Sequence, residues 1–582
     1  MPHAVSMPQT GFQALILCGP GVGLTTFTSV PKEYPKALIS IANRPMVWYV
    51  LDWCYRTGVT DITLVTPPES EPALSAALSQ NPYLTSLPSP SATILAPADL
   101  KHEMGTAELL RLPEVQQCIK SDFFLLPCDL ICDVAGETLL ETWMTSMGGL
   151  GGVTDGSSLE VFGPKMLGPG GEKGGRRGGL SVYYPTTHRE ESVKKEECDF
   201  VCTTQLDRNS AAAITGVSDT QGSIRKLVWA TPMSSLEDDI EENKSWTVRS
   251  SLLQRYGFVK CLTTFRDAHI YLFPYWVKDF AKLNDDFESV SEDLVGTWAK
   301  AEWRKPSYRS KFNVKEVFNK PRAATTKLTD YYEIPIEEEL DLLSLSSTQT
   351  TRHTHVKSNS KRDPVSFASR VSGVGGDSPI EADSSPDDIP IVPPMLAYLH
   401  NSKPSAPIIR RVDTVPLLLS VSLLLAKLPP TESGTTSSAL SHPQKIHPTA
   451  TIAARTTISN TDTLIGANAS VAEKCVIKES IVGHSASIGQ GSRLTRCIIM
   501  DGAVIGEKCM LTNTVIGKKA VIGPGCDLRD CEVQDGMGVG VRKEGEDDAA
   551  VEAKNEKFMI GGFEDDAEDF DDEYMTGDQE EF

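Results

Sequence analysis

From Ile446 to Val539 aliphatic residues recur at intervals of six, a period that neither an α-helix nor an alternating β-strand produces. Ile446, Ile452, Ile458 and Leu464 lie six apart, as do Val471 and Ile477, Ile488 and Leu494, Ile505 and Leu511, and Ile516, Ile522 and Leu528. A small or polar residue stands two positions before many of them, at Ala450, Thr456, Cys475, Ala486, Ser492, Ala503, Cys509, Ala520 and Cys526. Glycine follows the aliphatic at Gly466, Gly483, Gly489, Gly506, Gly517 and Gly523. This is the hexapeptide pattern of a parallel β-helix, in which short strands point their aliphatic side chains at a common axis and small residues let the chain turn. Stacked coils bury a continuous core that no single coil buries alone. Slips between Ile458 and Ile465 and between Leu494 and Ile499 are expected to be small bulges at corners. Such a domain serves as scaffold or assembly surface, so chemistry has to be sought upstream.

The 582 residues predict two to four domains, and the formal net charge of -22 is unevenly spread. Residues 541–582 hold seventeen acids and four bases, a balance of -13 that leaves -9 for everything before them. That stretch reads as a flexible acidic tail. Without a basic block, direct nucleic-acid binding by charge is disfavoured. The thirteen cysteines are scattered and form no CxxC pair, which favours reduced thiols in the cytosol over a disulfide framework or a zinc site. The N-terminus carries no signal pattern, and the apolar stretch 415–428 is too short to span a membrane, so it is expected to be a buried or interfacial helix.

Upstream, residues 12–18, 62–66 and 123–126 read as buried strands, with helical stretches between them, among them a helix over 46–57. Strands alternating with helices predict a mostly parallel α/β sheet, which binds ligands beyond its strand C-termini. Residues 148–180 form a Gly-rich insertion, and residues 336–394 are rich in Ser, Thr, Pro and Asp and predict a disordered linker. After the first strand comes Cys18-Gly19-Pro20-Gly21-Val22-Gly23-Leu24, whose glycines permit close approach of backbone N–H groups to a phosphate. It fits neither the Walker loop nor the dinucleotide spacing.

This loop is followed by Pro35-Lys36-Ala37-Leu38-Ile39 and Ala42-Asn43-Arg44-Pro45-Met46, then by Met104-Gly105-Thr106-Ala107 and Leu125-Leu126-Pro127-Cys128-Asp129. The order resembles the sugar-phosphate nucleotidyltransferase family, whose architecture also joins such a domain to a β-helix. The resemblance implies a nucleotidyltransferase-like Rossmann-type mixed sheet domain followed by a left-handed parallel β-helix. It departs at three points. The family's glycine loop carries an Arg that faces the triphosphate, but here Gly23-Leu24-Thr25 is followed by no cation before Lys32. Phosphoryl transfer depends on neutralising phosphate charge, so that loss matters. The Gly-Asp pair expected at the metal has become Cys128-Asp129, and Asp267-Ala268-His269-Ile270-Tyr271 stands where the family tends to have Asn-Ala-Gly-Ile-Tyr. An imidazole at position 269 predicts a filled pocket.

A nucleotidyltransferase fold with an altered site joined to a β-helix is similar to the nucleotidyltransferase-like subunits of eukaryotic translation initiation factor 2B. Within that family, Asp267 to Tyr271 and Val551-Glu552-Ala553-Lys554-Asn555-Glu556 resemble the subunit that pairs with the epsilon type. About forty residues follow Val539, too few for the epsilon subunit's helical-repeat domain. The resemblance implies a cytosolic subunit of the guanine nucleotide exchange factor for initiation factor 2. Its implied partners are an epsilon-type subunit, the other subunits of initiation factor 2B and initiation factor 2 itself, with no nucleic acid or membrane. Exchange by preferential binding of the nucleotide-free GTPase is a linkage effect that asks for no catalytic residue, cofactor or metal in this chain. A vestigial nucleotide-binding site is expected to be lined by Gly21, Gly23, Lys36, Gly105, Thr106 and Asp129.

The expected organisation is a flexible N-terminus (1–11), the nucleotidyltransferase-like domain (12–335), the linker (336–394), a linking helical region (395–445), the β-helix (446–540) and the acidic tail (541–582). Subunit contacts are expected on the β-helix ends and faces and along the α/β domain. The competing reading is a sugar-1-phosphate nucleotidyltransferase, mannose-1-phosphate guanylyltransferase-like, or its regulatory subunit. A third, a β-helix acyltransferase, would rest on His484, expected on an outward corner.

Overall fold

The computed structural model describes residues 11–19, 23–28, 30–101, 104–147, 178–206, 222–245, 248–313, 392–431, 438–540 and 558–559. Outside them lie residues 1–10, nearly all of the Gly-rich insertion, the linker to residue 391, and the acidic tail apart from 558–559, including Val551 to Glu556.

Among the described residues, nine strands form the first sheet: β1 (Gln13–Leu17), β2 (Asp61–Val65), β3 (Thr93–Leu95), β4 (Phe123–Pro127), β5 (Gly179–Pro185), β6 (Asp199–Thr204), β7 (Gly222–Pro232), β8 (Lys260–Phe273) and β9 (Met395–His400). Their order is β3-β2-β1-β4-β8-β5-β9-β7-β6, and β6 also pairs with β8, closing the last five strands on themselves. The first four strands are parallel. β1, β2 and β4 are short, mostly apolar buried runs, as strands covered on both faces must be, while the edge strand β3 is only half-buried. Beyond β4 the pairing turns antiparallel except between β5 and β9, so the sheet is mixed rather than mostly parallel. The long β8 causes this, because it serves β4 with its last residues and β6 with its first.

β9 also corrects the expected helical link over 395–445. The segment opens with a strand inserted between β5 and β7, continues in a second strand, Ile409–Arg411, on Leu130–Cys132, and only then forms the helix Val415–Lys427. Met395-Leu396-Ala397-Tyr398-Leu399 is buried throughout and belongs to the α/β core. The helix is buried as expected, and among the described residues no helix is long and apolar enough to cross a membrane. The helix Met46–Arg56 is buried on nearly all sides. Trp53 packs edge-on to Phe124 of β4 and donates to the Val134 carbonyl at 2.8 Å. The same apolar core takes in Leu418 of the later helix and Leu464, Ile481, Ile498 and Val515 of the β-helix.

The β-helix consists of three parallel sheets, the first running from Thr451–Ile452 to Gly538–Val539, the second from Thr457–Ile458 to Asp527–Arg529, and the third starting at Leu464–Ile465. Ser470 pairs with Ser487, Ser487 with Val504, and Val504 with Val521, an advance of 17 residues per coil. The spacing of inward aliphatics is six, six and five. The slip read between Leu494 and Ile499 is therefore the regular short side of the later coils, repeated at Leu511 to Ile516 and Leu528 to Val533, whereas Ile458 to Ile465 spans seven residues and the first coil advances 19, from Thr451 to Ser470. Left-handed residues mark the corner before it in successive coils, at Glu479, Arg496, Asn513 and Asp530, with φ between 42° and 54°. Each costs about 1–2 kcal/mol of local strain, which the stacked core offsets at about 1.5–3 kcal/mol per enclosed aliphatic side chain. The third sheet's outward residues Leu464, Ile481, Ile498 and Val515 are covered by the α/β unit, leaving the other two faces to solvent.

Candidate functional site

Lys36 sits in a single turn, Lys36–Leu38, entered through Pro35, and Asp129 lies between β4 and Leu130–Cys132. Their side chains meet at 2.8 Å with both almost enclosed. The second Asp129 oxygen is 3.5 Å from Arg411 Nε, and the Asp129 carbonyl accepts the Val412 amide at 2.8 Å. Burial alone would raise the Asp129 carboxyl; attraction to Lys36 and then to Arg411 outweighs it and holds the group well below the usual carboxylate range. Both oxygens already face a cation, and the two positive charges oppose a divalent ion, so the metal that the nucleotidyltransferase resemblance would place here does not fit.

Of the glycine loop, Gly23 is described and Gly21 lies outside the described residues. A Cβ on Gly23 would stand 2.3 Å from the Asp413 carbonyl oxygen, so this glycine is required by the chain's own segment. Gly105 is the same case at a second place: its Cβ would meet the Glu288 carbonyl at 2.2 Å. Thr106 accepts the Val290 amide on its hydroxyl at 2.9 Å. The five described residues of the six expected at the site thus divide. Lys36, Asp129 and Gly23 are gathered around residues 411–413, and Gly105 and Thr106 are engaged with residues 288–290.

The segment that reaches Asp129 carries a dense set of ion pairs. Arg266, on β8, holds Asp413 with two nitrogens at 2.6 and 3.2 Å, the forked geometry that favours Arg over Lys. Arg410 is fully enclosed; it donates to the Pro185 carbonyl at 2.6 Å and to Ser192 at 3.1 Å, and lies 3.5 Å from Glu191 and 3.8 Å from Glu196. Arg189 completes the group on Glu191 at 2.5 Å. Sequence reasoning missed Arg410, Arg411 and Asp413. Their signal was the pair of adjacent arginines inside Ile408-Ile409-Arg410-Arg411-Val412, since arginines in an apolar strand demand buried carboxylates.

His269 lies beside this cluster in a left-handed conformation, φ 52°, at the break in register between Asp267 and Tyr271 on β8. That backbone explains why glycine suits the position. Its amide donates to Asp267 at 2.8 Å, and burial, then Arg411, push its imidazole toward the neutral form. Asp267 also accepts the Tyr271 hydroxyl, and burial followed by the neighbouring Asp199 raises its carboxyl to about 7.

The Ala42-Asn43 pair turns the hairpin Ser40–Ile41 to Arg44–Pro45 with both residues at positive φ, as a two-residue type I′ turn requires. The turn then docks on the β-helix. Asn43 donates to the Val482 carbonyl at 2.9 Å, Lys518 to the Leu38 carbonyl at 2.9 Å, and Arg44 to the carbonyls of Leu440 and Ser441. His484, expected on an outward corner, instead faces this turn: its ring lies 3.2 Å from the Asn43 carbonyl and accepts the Ala467 amide at 2.9 Å. Its reach to the α/β unit is the reason, and it leaves no projecting base.

Fold and site together define a class: a mixed-sheet α/β unit docked through its Asn43 turn on one face of a left-handed β-helix. Residues 445–543 match the family model described as EIF2B subunit epsilon LbH domain. Over 310 residues the chain is 26% identical to translation initiation factor eIF2B subunit gamma of Schizosaccharomyces pombe, a match covering 53% of this chain. The chain spans 56% of that curated relative's length. Both likenesses are to eIF2B subunits, to the gamma subunit over about half of the chain and to the epsilon β-helix domain over residues 445–543.

Proposed function

We propose that this chain is the gamma-type subunit of the guanine nucleotide exchange factor for translation initiation factor 2. It works in the cytosol within initiation factor 2B, paired with an epsilon-type subunit that promotes GDP release, and performs no nucleotidyl transfer itself. The observation that carries the second half is at Asp129: the carboxylate a nucleotidyltransferase would offer to a metal is neutralised by Lys36 and Arg411. Gly23 is closed over by Asp413, so the glycine that would let a phosphate approach meets the chain's own backbone instead. The first half is supported by the likeness to the fission-yeast gamma subunit and by the β-helix match. With one β-helix face taken by the α/β unit, the two remaining faces and the coil ends are where partner subunits would bind.

The test is affinity purification of the full chain from its native cytosol at low salt, followed by GDP-release assays on initiation factor 2 with the recovered assembly. Co-purification of an epsilon-type chain with exchange activity, and no pyrophosphate exchange with mannose 1-phosphate and GTP, is the expected result. A homo-oligomer that catalyses pyrophosphate exchange would replace this reading with the sugar-1-phosphate nucleotidyltransferase one.

A further inference from the structure

Strands β6 and β8 meet at the seam that closes the last five strands, and there Cys202 stands directly opposite Cys261. Their sulfurs are 2.9 Å apart. Residues directly opposed on antiparallel strands have Cα atoms about 4.5–5.5 Å apart, inside the range of about 4.4–6.8 Å that a disulfide accepts. No other thiol pair combines this proximity with access among the described residues: Cys261 is exposed and Cys202 is buried. The buried sulfur is packed in a small cluster with Phe200, Val228, Leu236, Leu252 and Trp303, so it is held in place behind the exposed one.

We propose that Cys202 and Cys261 form a reversible redox site, a dithiol that a hydroperoxide converts to a cross-strand disulfide and a thiol reductant restores. The exposed Cys261 sulfur, as thiolate, attacks one oxygen of hydrogen peroxide. The O–O bond breaks, leaving a sulfenic acid on Cys261 and releasing the other oxygen as hydroxide, which takes up the proton the Cys261 thiol gave to solvent and becomes water. The Cys202 sulfur then displaces that hydroxyl as a second water, its proton leaving with it. Two thiols and one peroxide become one disulfide and two waters, a two-electron oxidation. A neighbouring thiol in van der Waals reach resolves the sulfenic acid before it can oxidise further. Disulfides of this kind in a reducing compartment are transient and sensing rather than structural.

The position gives the bond a consequence. β8 also carries Arg266 and Asp267, five and six residues after Cys261, and a register break between Leu262 and Phe265 separates the seam from them. A bond at Cys261 ties down the N-terminal end of the strand that holds Asp413, so the seam and not the β-helix is what oxidation stiffens.

The experiment treats the full-length chain with hydrogen peroxide, blocks free thiols with an alkylating agent and maps peptides without reduction. Cys198 shares a tryptic peptide with Cys202, so the measurement is made on wild type and on Cys198→Ser. A linked pair joining Cys202 to Cys261 in both proteins, reversed by dithiothreitol and absent in Cys261→Ser, is the expected result. Hydrogen exchange in residues 199–204 is then expected to slow at least tenfold on oxidation while exchange in residues 464–539 stays unchanged. The proposal is overturned if Cys261 ends as a sulfinic or sulfonic acid with Cys202 still alkylated. It is equally overturned if the link forms to Cys198, or if both thiols alkylate fully after peroxide.

Discussion

Inside the β-helix the enclosed side chains are aliphatic or small, with Leu494, Ile499 and Ile516 fully out of water, whereas at the ends of β1 and β4 the enclosed side chains include Lys36, Asp129, Arg266 and Arg410. The first region is stabilised by non-directional contacts repeated every 17 residues, so a defect stays within neighbouring coils. The second is stabilised by compensation: each charge costs several kcal/mol to bury and is tolerated only while its partners are in place. The two regions fail differently. Losing one group from the charged cluster strands its partners, while losing one from the β-helix leaves only a hole.

The largest effect is therefore expected at Asp129. Asp129→Ala leaves Lys36 without an anion and Arg411 with only Asp413, at 3.8 Å, and should cost about 3–5 kcal/mol in denaturant unfolding. Asp129→Leu combined with Lys36→Met should cost less than Asp129→Ala, because the orphaned charge is removed with its partner. If the double variant proves the less stable, compensation is not what holds this region. Next is Ile499→Ala, where the lost methyls and the cavity together should cost about 3 kcal/mol. Hydrogen exchange should place the damage in the adjacent coils, with residues 476–516 loosened and β1 and β4 unaffected; a spread into the sheet would break the comparison.

The β-helix was legible because its period is written in one residue class over many coils; its 17-residue length was not, because a five-residue side looks like an irregularity until the pairing is seen. β1, β2 and β4 were legible as apolar runs. β9 was not, since Met395 to His400 follows a long polar stretch and its pairing partners β5 and β7 lie more than 150 residues earlier. Lys36, Asp129 and Gly23 were singled out through a motif order. Arg411 and Asp413 were not, because what makes them part of the site is a contact across 282 and 147 residues of chain, and no local pattern encodes such a contact.

A pH profile sharpens the contrast from the charged side. Asp267 is raised to about 7, first by burial and then by Asp199, against an ordinary carboxyl near 4 in the unfolded chain. Between those values the folded protein holds a proton that the unfolded chain has lost. The contribution is thus fully present below about pH 4 and is lost as pH rises through about 7. Asp267→Asn keeps an acceptor for the His269 amide and has no proton to lose. The stability of wild type relative to this variant should fall by on the order of 4 kcal/mol between pH 4 and pH 8. A flat difference would mean that the carboxyl titrates normally and that Tyr271 and His269 stabilise its charge.

The smallest effect is expected at a β-helix corner, and it tests what the corners require. Cys475, Ser492, Cys509 and Cys526 occupy one corner in successive coils, all buried. Ser492 donates to the Gly506 carbonyl at 2.8 Å and accepts the Cys509 amide at 3.1 Å, while Cys509 donates to the Gly523 carbonyl at 3.1 Å. The ladder already accepts oxygen in place of sulfur, so Cys509→Ser should change stability by less than about 0.5 kcal/mol. Cys509→Leu, by contrast, adds volume where the chain turns and should cost about 1–3 kcal/mol by overpacking. If serine costs as much as leucine, the corner selects sulfur for its apolar character. If neither costs anything, the corner is open rather than packed, and the contrast between a β-helix held by close packing and a sheet site held by paired charge loses its first half.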